Sequence, residues 1–190
     1  LGGFVRDPGG MVWGHPRGED PAIVLQSGFQ DHVMEPGTHV MFDCHGTLDL
    51  YCWDGGKTWI IDGERKGRAD QLFTATANAV ESILTAMTPG VRISELQAIG
   101  REAYRRSGIR DADQAIIFFH GLGLSHMDLA QYLHDGTPNT DWQLEEGMVV
   151  PVHVLFPGGE TQRCWVEEVA HVTTDGGVPF FSWGFDPICS

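Results

Sequence analysis

Two apolar, β-branched runs near the end of the chain, GMVVPVHVLF at 147–156 and QRCWVEEVAHVTT at 162–174, are joined through PGGE at 157–160. Neither reaches the roughly 18 apolar residues that cross a bilayer, and the Pro-Gly-Gly between them is turn chemistry. They read as two strands of an antiparallel pair. A sheet is therefore the frame into which the rest of the chain must fit.

Two earlier stretches have the same character. HVMFDCHG at 39–46 follows the turn signal EPGT at 35–38, and KTWIIDG at 57–63 follows the Gly55-Gly56 pair. They predict a hairpin with a wide loop, Asp43 on its first strand and Asp54 at the entrance to its second. Between the two strand pairs lie two helical patterns. From Asp70 to Met87, Leu72, Phe73, Val80, Ile83, Leu84 and Met87 keep the helical period until Thr88-Pro89-Gly90 stops it. ELQAIGREAYRRSG at 95–108 predicts a second helix, with Ser94 as its N-cap and Gly108 beyond its basic end. Strands, two amphipathic helices and strands again predict an α+β domain with a largely antiparallel sheet.

Composition narrows the function. A chain of 190 residues with 42% apolar and 20% charged residues is that of one globular domain, here 1–190. The net charge of −14 excludes a nucleic-acid partner. Cys44, Cys52, Cys164 and Cys189 show no CxxC pairing, which suits reduced thiols in a cytoplasmic protein. No membrane span or export signal is expected. Residues 1–22, rich in Gly, Pro and charge, predict an irregular start to a chain that begins inside a larger architecture.

Three polar residues stand in apolar surroundings: Asp43 in VMFDC, His120 in IFFHG and Glu167 in CWVEE. A buried carboxylate costs several kcal/mol unless it is paired, hydrogen-bonded or bound to a cation. Taken singly, each is explained by a turn cap or one buried hydrogen bond.

Their order along the chain says more. EPGTHVMFDCHG resembles the PGD-x-V-x-x-D-x-G strand of the pita-bread metallopeptidase family, which includes methionine aminopeptidase, aminopeptidase P, prolidase and creatinase. YCWDGGKTW resembles its G-Y-x-S-D-x-T-R-T segment, FFHGLGL its GHGIGL, LEEGMVVPVHV its LEPGMVFTIEP and WVEEVAHVTTDG its RIED-x-x-x-VTEDG. MTPGVRISELQ is similar to the family's PGV-x-x-x-E segment between two helices. The resemblance runs from about Ser27 to Thr174. It implies a curved, mostly antiparallel sheet covered by helices, here without the family's first helices. It also implies a metal site of Asp43, Asp54, His120, His153 and Glu167 for one or two divalent ions, manganese, iron, cobalt or zinc, which suit carboxylate and imidazole donors.

The departures from the pattern locate where the chemistry has changed. His153 stands where the family has a liganding Glu, so three carboxylates give −3 where four would give −4. The family's second histidine, seven residues after the liganding one, falls on Met127. His126 comes one residue early and Asp128 one residue late, so both are candidate acid–base residues. That shorter spacing is similar to a dimethylsulfoniopropionate lyase branch. His32 precedes Asp43 by only eleven residues, and Lys57 is the base nearest to the family's missing Arg.

The resemblance implies a hydrolase cleaving a C–N bond of a short peptide or amide, in the manner of aminopeptidase P or prolidase. The alternatives are a lyase of the same fold and an inactive binding module. A homodimer is the expected assembly. For the remaining residues the sequence favours plain structural roles: Trp53, Trp59 and Trp165 as core rather than a cation cage, His171 as packing, and His15 and His45 as surface or hydrogen-bonded histidines.

Overall fold

The computed structural model describes residues 9–13, 36–126, 140–157 and 162–189. An antiparallel sheet forms its frame, in the order β1–β2–β3–β6–β5–β4, from β1 (Gly9–Trp13), β2 (His39–Leu48), β3 (Tyr51–Ile60), β4 (Ile116–Phe119), β5 (Val149–Phe156) and β6 (Cys164–Thr173). β7 (Gly176–Pro179) extends β6, and β8 (Ile188–Cys189) runs parallel to β3. Helices α1 (Gly67–Ala86) and α2 (Ile93–Arg106) connect the β2–β3 hairpin to β4.

The two sheet faces have different fates. One face of β5 and β6, with Val150, Val152, Val154, Phe156, Val166, Ala170 and Val172, packs in the main core with the α1 stripe of Leu72, Phe73, Val80 and Ile83. Each of the Val, Leu, Ile and Phe side chains among them contributes roughly 1.5–3 kcal/mol relative to exposure. The opposite face carries Asp43, Asp54, His153 and Glu167. A second apolar cluster of Met41, Leu155 and Trp165 lies beside them. Because both faces of β6 are covered, its residues are buried almost without a break, the two glutamates Glu167 and Glu168 included.

Several sequence expectations are corrected. The β2–β3 hairpin closes through a two-residue loop, Asp49 and Leu50, both at positive φ (50° and 75°). This is the pattern of a type I′ turn made without its usual Asn-Gly. Asp54 thus lies well inside β3, because the strand begins at Tyr51. Ser94 is not a cap: α2 begins one residue earlier at Ile93, and Asp141 Oδ1 accepts the Ser94 amide at 2.9 Å. Glu95 Oε2 accepts the amide of Arg92 at 2.8 Å, so the first turn is satisfied from both sides. Within the stretch expected to be irregular, Gly9–Trp13 form a strand against β2. His171 is exposed rather than packed.

The helices cover β4 to β7. Over β3, on the same side, lies the end of the chain, where Lys57 Nζ donates to the Trp183 carbonyl at 3.0 Å and Phe181 N–H to Glu168 Oε1 at 3.1 Å. Gly55 admits this segment, since a Cβ there would stand 2.8 Å from the Phe181 ring. Trp53 and Trp59 alternate with Asp54 along β3 and face away from it, whereas Trp165 shares the face of Glu167. The three indoles form no cage, and only Trp165 is core as expected, since Trp53 and Trp59 are exposed.

Candidate metal centre

The register of five strands builds the centre. Asp43 on β2 stands across from Gly56 on β3, Gly56 from Glu167 on β6, Glu167 from His153 on β5, and His153 from Phe118 on β4. Residues in one such row project to the same face. Asp54, two residues before Gly56, joins that face, and His120 enters from the end of β4.

One donor atom each from Asp54, His120, His153 and Glu167 lie within 4.8 Å of one another, and all four residues are buried. Asp43 lies outside this tightest set and is half-buried, but its carboxyl and that of Asp54 both face Glu167. Five residues from five places in the sequence therefore meet at one spot on the sheet. His126 reaches the same spot, with Nε2 2.8 Å from Asp54 Oδ2. Asp128 lies outside the described residues, as do His15 and His32.

Hydrogen bonding leaves the centre incomplete in a specific way. His120 Nδ1–H donates to the Gly121 carbonyl at 2.9 Å, which turns its Nε2 toward Asp54 Oδ2 at 3.4 Å. Both ring nitrogens of His153 and both oxygens of Glu167 are buried without a hydrogen-bond partner, although His153 Nε2 is 3.5 Å from Glu167 Oε1. Leaving such groups unpaired costs about 1–3 kcal/mol each, more when charged. Lone pairs converging on lone pairs are what a divalent cation satisfies, and hard oxygens with imidazole nitrogens are its usual donors. The residues present fit a metal ion.

Electrostatics points the same way. Burial, then the charges of Asp54 and Asp43, push the Glu167 carboxyl well up. Burial and the charge of Asp54 raise Asp43 to about 6. Burial acts on Asp54 in the same direction, but His120 beside it, with Glu167 and further imidazoles, holds it down to about 2. Burial, then the neighbouring His120, keeps the His153 imidazole well below its ordinary value and hence neutral, the form that ligates. The carboxyls repel one another here, and a cation among them would remove that repulsion.

His45, which the sequence favours as a surface or hydrogen-bonded histidine while placing it close to Asp43, also reaches the site. It lies across from Asp54 in the β2–β3 ladder and stacks on His126, with ring centroids 4.3 Å apart and planes 23° apart. The one signal for it was its place two residues after Asp43, which by strand alternation puts both side chains on one face.

Comparison with known proteins agrees with this layout. The family model of Metallopeptidase family M24 matches residues 9–178. The chain is 28% identical over 156 residues to "Putative dipeptidase YkvY" of Bacillus subtilis, covering 82% of this chain and 41% of that one. It is 27% identical over 152 residues to "Xaa-Pro dipeptidase" of Lactobacillus delbrueckii subsp. lactis, covering 78% and 39%. Among solved structures, dipeptidase PepE from Mycobacterium ulcerans superposes with a TM-score of 0.76 at 22% identity, over 97% of this chain and 47% of that one. An X-Pro aminopeptidase from Thermotoga maritima gives 0.72 at 21% identity, over 85% and 44%. The chain thus spans less than half the length of each of these proteins.

Proposed function

The chain belongs to metallopeptidase family M24, and we propose that it is a metal-dependent hydrolase cleaving a C–N bond of a short peptide or related amide. The observation that carries this reading is the buried convergence of Asp54, His120, His153 and Glu167 with unsatisfied lone pairs. The dipeptidase and Xaa-Pro dipeptidase names of its relatives support a peptide substrate.

In this reading Asp54, His120, His153 and Glu167, with Asp43 alongside, hold one or two divalent ions. When bound, such an ion polarises a carbonyl and eases ionisation of water. The chain's own residues supply the proton traffic. His126 Nε2–H donates to Asp54 Oδ2, which fixes the tautomer and leaves Nδ1 as the basic nitrogen. His126 is 36% exposed on its side chain, so Nδ1 is within reach of substrate. It takes a proton from water as the C–O bond forms and gives it to the departing nitrogen as the C–N bond breaks. Asp54, held low by its imidazole neighbours, stays ionised and supports the imidazolium that forms.

A second reading, a lyase of the same fold, rests on His153. An imidazole held as a ligand offers no carboxylate base beside the attacking water, where the family pattern has a Glu. Assays of purified, metal-loaded protein against Xaa-Pro dipeptides and against dimethylsulfoniopropionate separate the two. Hydrolysis of the dipeptides supports the proposal, cleavage of the sulfonium compound alone replaces it with the lyase, and activity on neither favours a binding module.

A further inference from the structure

His126 holds its place through two kinds of contact. Its Nε2 meets Asp54 Oδ2 at 2.8 Å, and one face of its ring lies on His45 at 4.3 Å between centroids. The ring of His120 touches it only edge-on, at 5.6 Å. A single hydrogen bond fixes one atom but leaves the ring free to turn about that bond, whereas a stacked neighbour fixes the plane. The two together set the direction in which Nδ1 points.

His45 is placed for this by β2. It stands across from Asp54 in the ladder, so the residue that anchors the edge of His126 and the residue that supports its face are cross-strand neighbours. Its Nδ1 is buried and makes no hydrogen bond, so that nitrogen takes no part in holding the ring in place.

We propose that His45 is a positioning residue that fixes the plane of the His126 imidazole and so aims its Nδ1 at the substrate. It acts through His126 and needs no chemistry of its own nitrogens. The inference rests on the proton-transfer role given to His126 above.

The test compares His45→Ala, which removes the ring, with His45→Phe, which keeps a flat ring but no nitrogen. In metal-loaded protein His45→Ala lowers kcat roughly 10- to 100-fold, the range expected when a catalytic group is misaligned. KM and bound metal per chain stay close to wild type, and His45→Phe recovers most of kcat. Crystal structures of the two variants give a readout independent of turnover: the His126 ring loses its single orientation in His45→Ala and keeps it in His45→Phe. Unchanged kcat in His45→Ala, or a His45→Phe variant as impaired as His45→Ala, overturns the proposal. If wild type hydrolyses no peptide, the hydrolase reading fails by itself, and the orientation of His126 in the two variants still decides the role of His45.

Discussion

Glu167 is fully buried, yet neither of its oxygens has a hydrogen-bond partner, and two other carboxyls face it. Without a cation it opposes folding, and with one it becomes the keystone of the site. Glu167→Gln keeps the volume and removes the charge, so its effect should change sign with metal. Metal-free protein gains about 1–3 kcal/mol, because a buried repulsion is relieved. Metal-loaded protein binds its ion roughly 100-fold more weakly or worse, since a ligand matters at least as much as the groups that support it. Thermal unfolding with and without metal, and metal titration, check both halves. Glu168, next in the chain, faces the helix side and is raised to about 7 by burial. A carboxyl raised on folding stabilises fully below its ordinary range and loses that contribution as pH climbs through the folded value. Unfolding free energy should therefore fall between pH 5 and pH 8, by roughly 2–3 kcal/mol from this group, and Glu168→Gln should flatten the fall. At this scale Asp43, His120 and Glu167 were legible as residues out of keeping with their apolar surroundings, and Asp54 through the motif that carries it. His45 was not, because a histidine near a strand end has many ordinary roles and only its partner across the ladder reveals this one.

The β2–β3 hairpin decides where Asp54 points. Its sequence suggested a wide loop because Gly55-Gly56 resembles a turn, but Asp49 and Leu50 make the reversal instead. The glycines serve packing. Gly55 lets Phe181 lie against the side of β3 that faces away from the metal centre, while Gly56 stands without a side chain between Asp43 and Glu167 in the row. Gly55→Ala should cost about 1–3 kcal/mol through overpacking against the Phe181 ring, with metal affinity unchanged because the added methyl faces the other side. Chemical denaturation and metal titration on the same sample check this. The two helices were legible throughout from the spacing of Leu72, Phe73, Val80 and Ile83. Their ends were less so, since Asp141 reaches α2 from 47 residues away. Register was not legible at all: nothing local in CWVEE or VPVHV says that Glu167 and His153 stand side by side.

Across the molecule, the sheet separates two jobs. One face packs, mostly through apolar side chains, under α1, α2 and the segment around Phe181 and Trp183. The other presents carboxylates and imidazoles from β2, β3, β5 and β6, with His120 from the end of β4. No helix among the described residues is long and apolar enough to cross a membrane. The family was legible because five spaced motifs occur in one order, which composition alone could not show. What the motifs could not tell was whether His153, an imidazole in a carboxylate's place, turns toward the centre. The structure sets it beside Glu167 with both nitrogens free. The most direct test is elemental analysis of the protein purified from metal-supplemented medium, together with His153→Ala and Glu167→Gln. A metal centre of these residues requires one or two divalent transition-metal ions per wild-type chain and a clear loss in both variants. Wild-type protein without metal, or variants that retain the full complement, would contradict it.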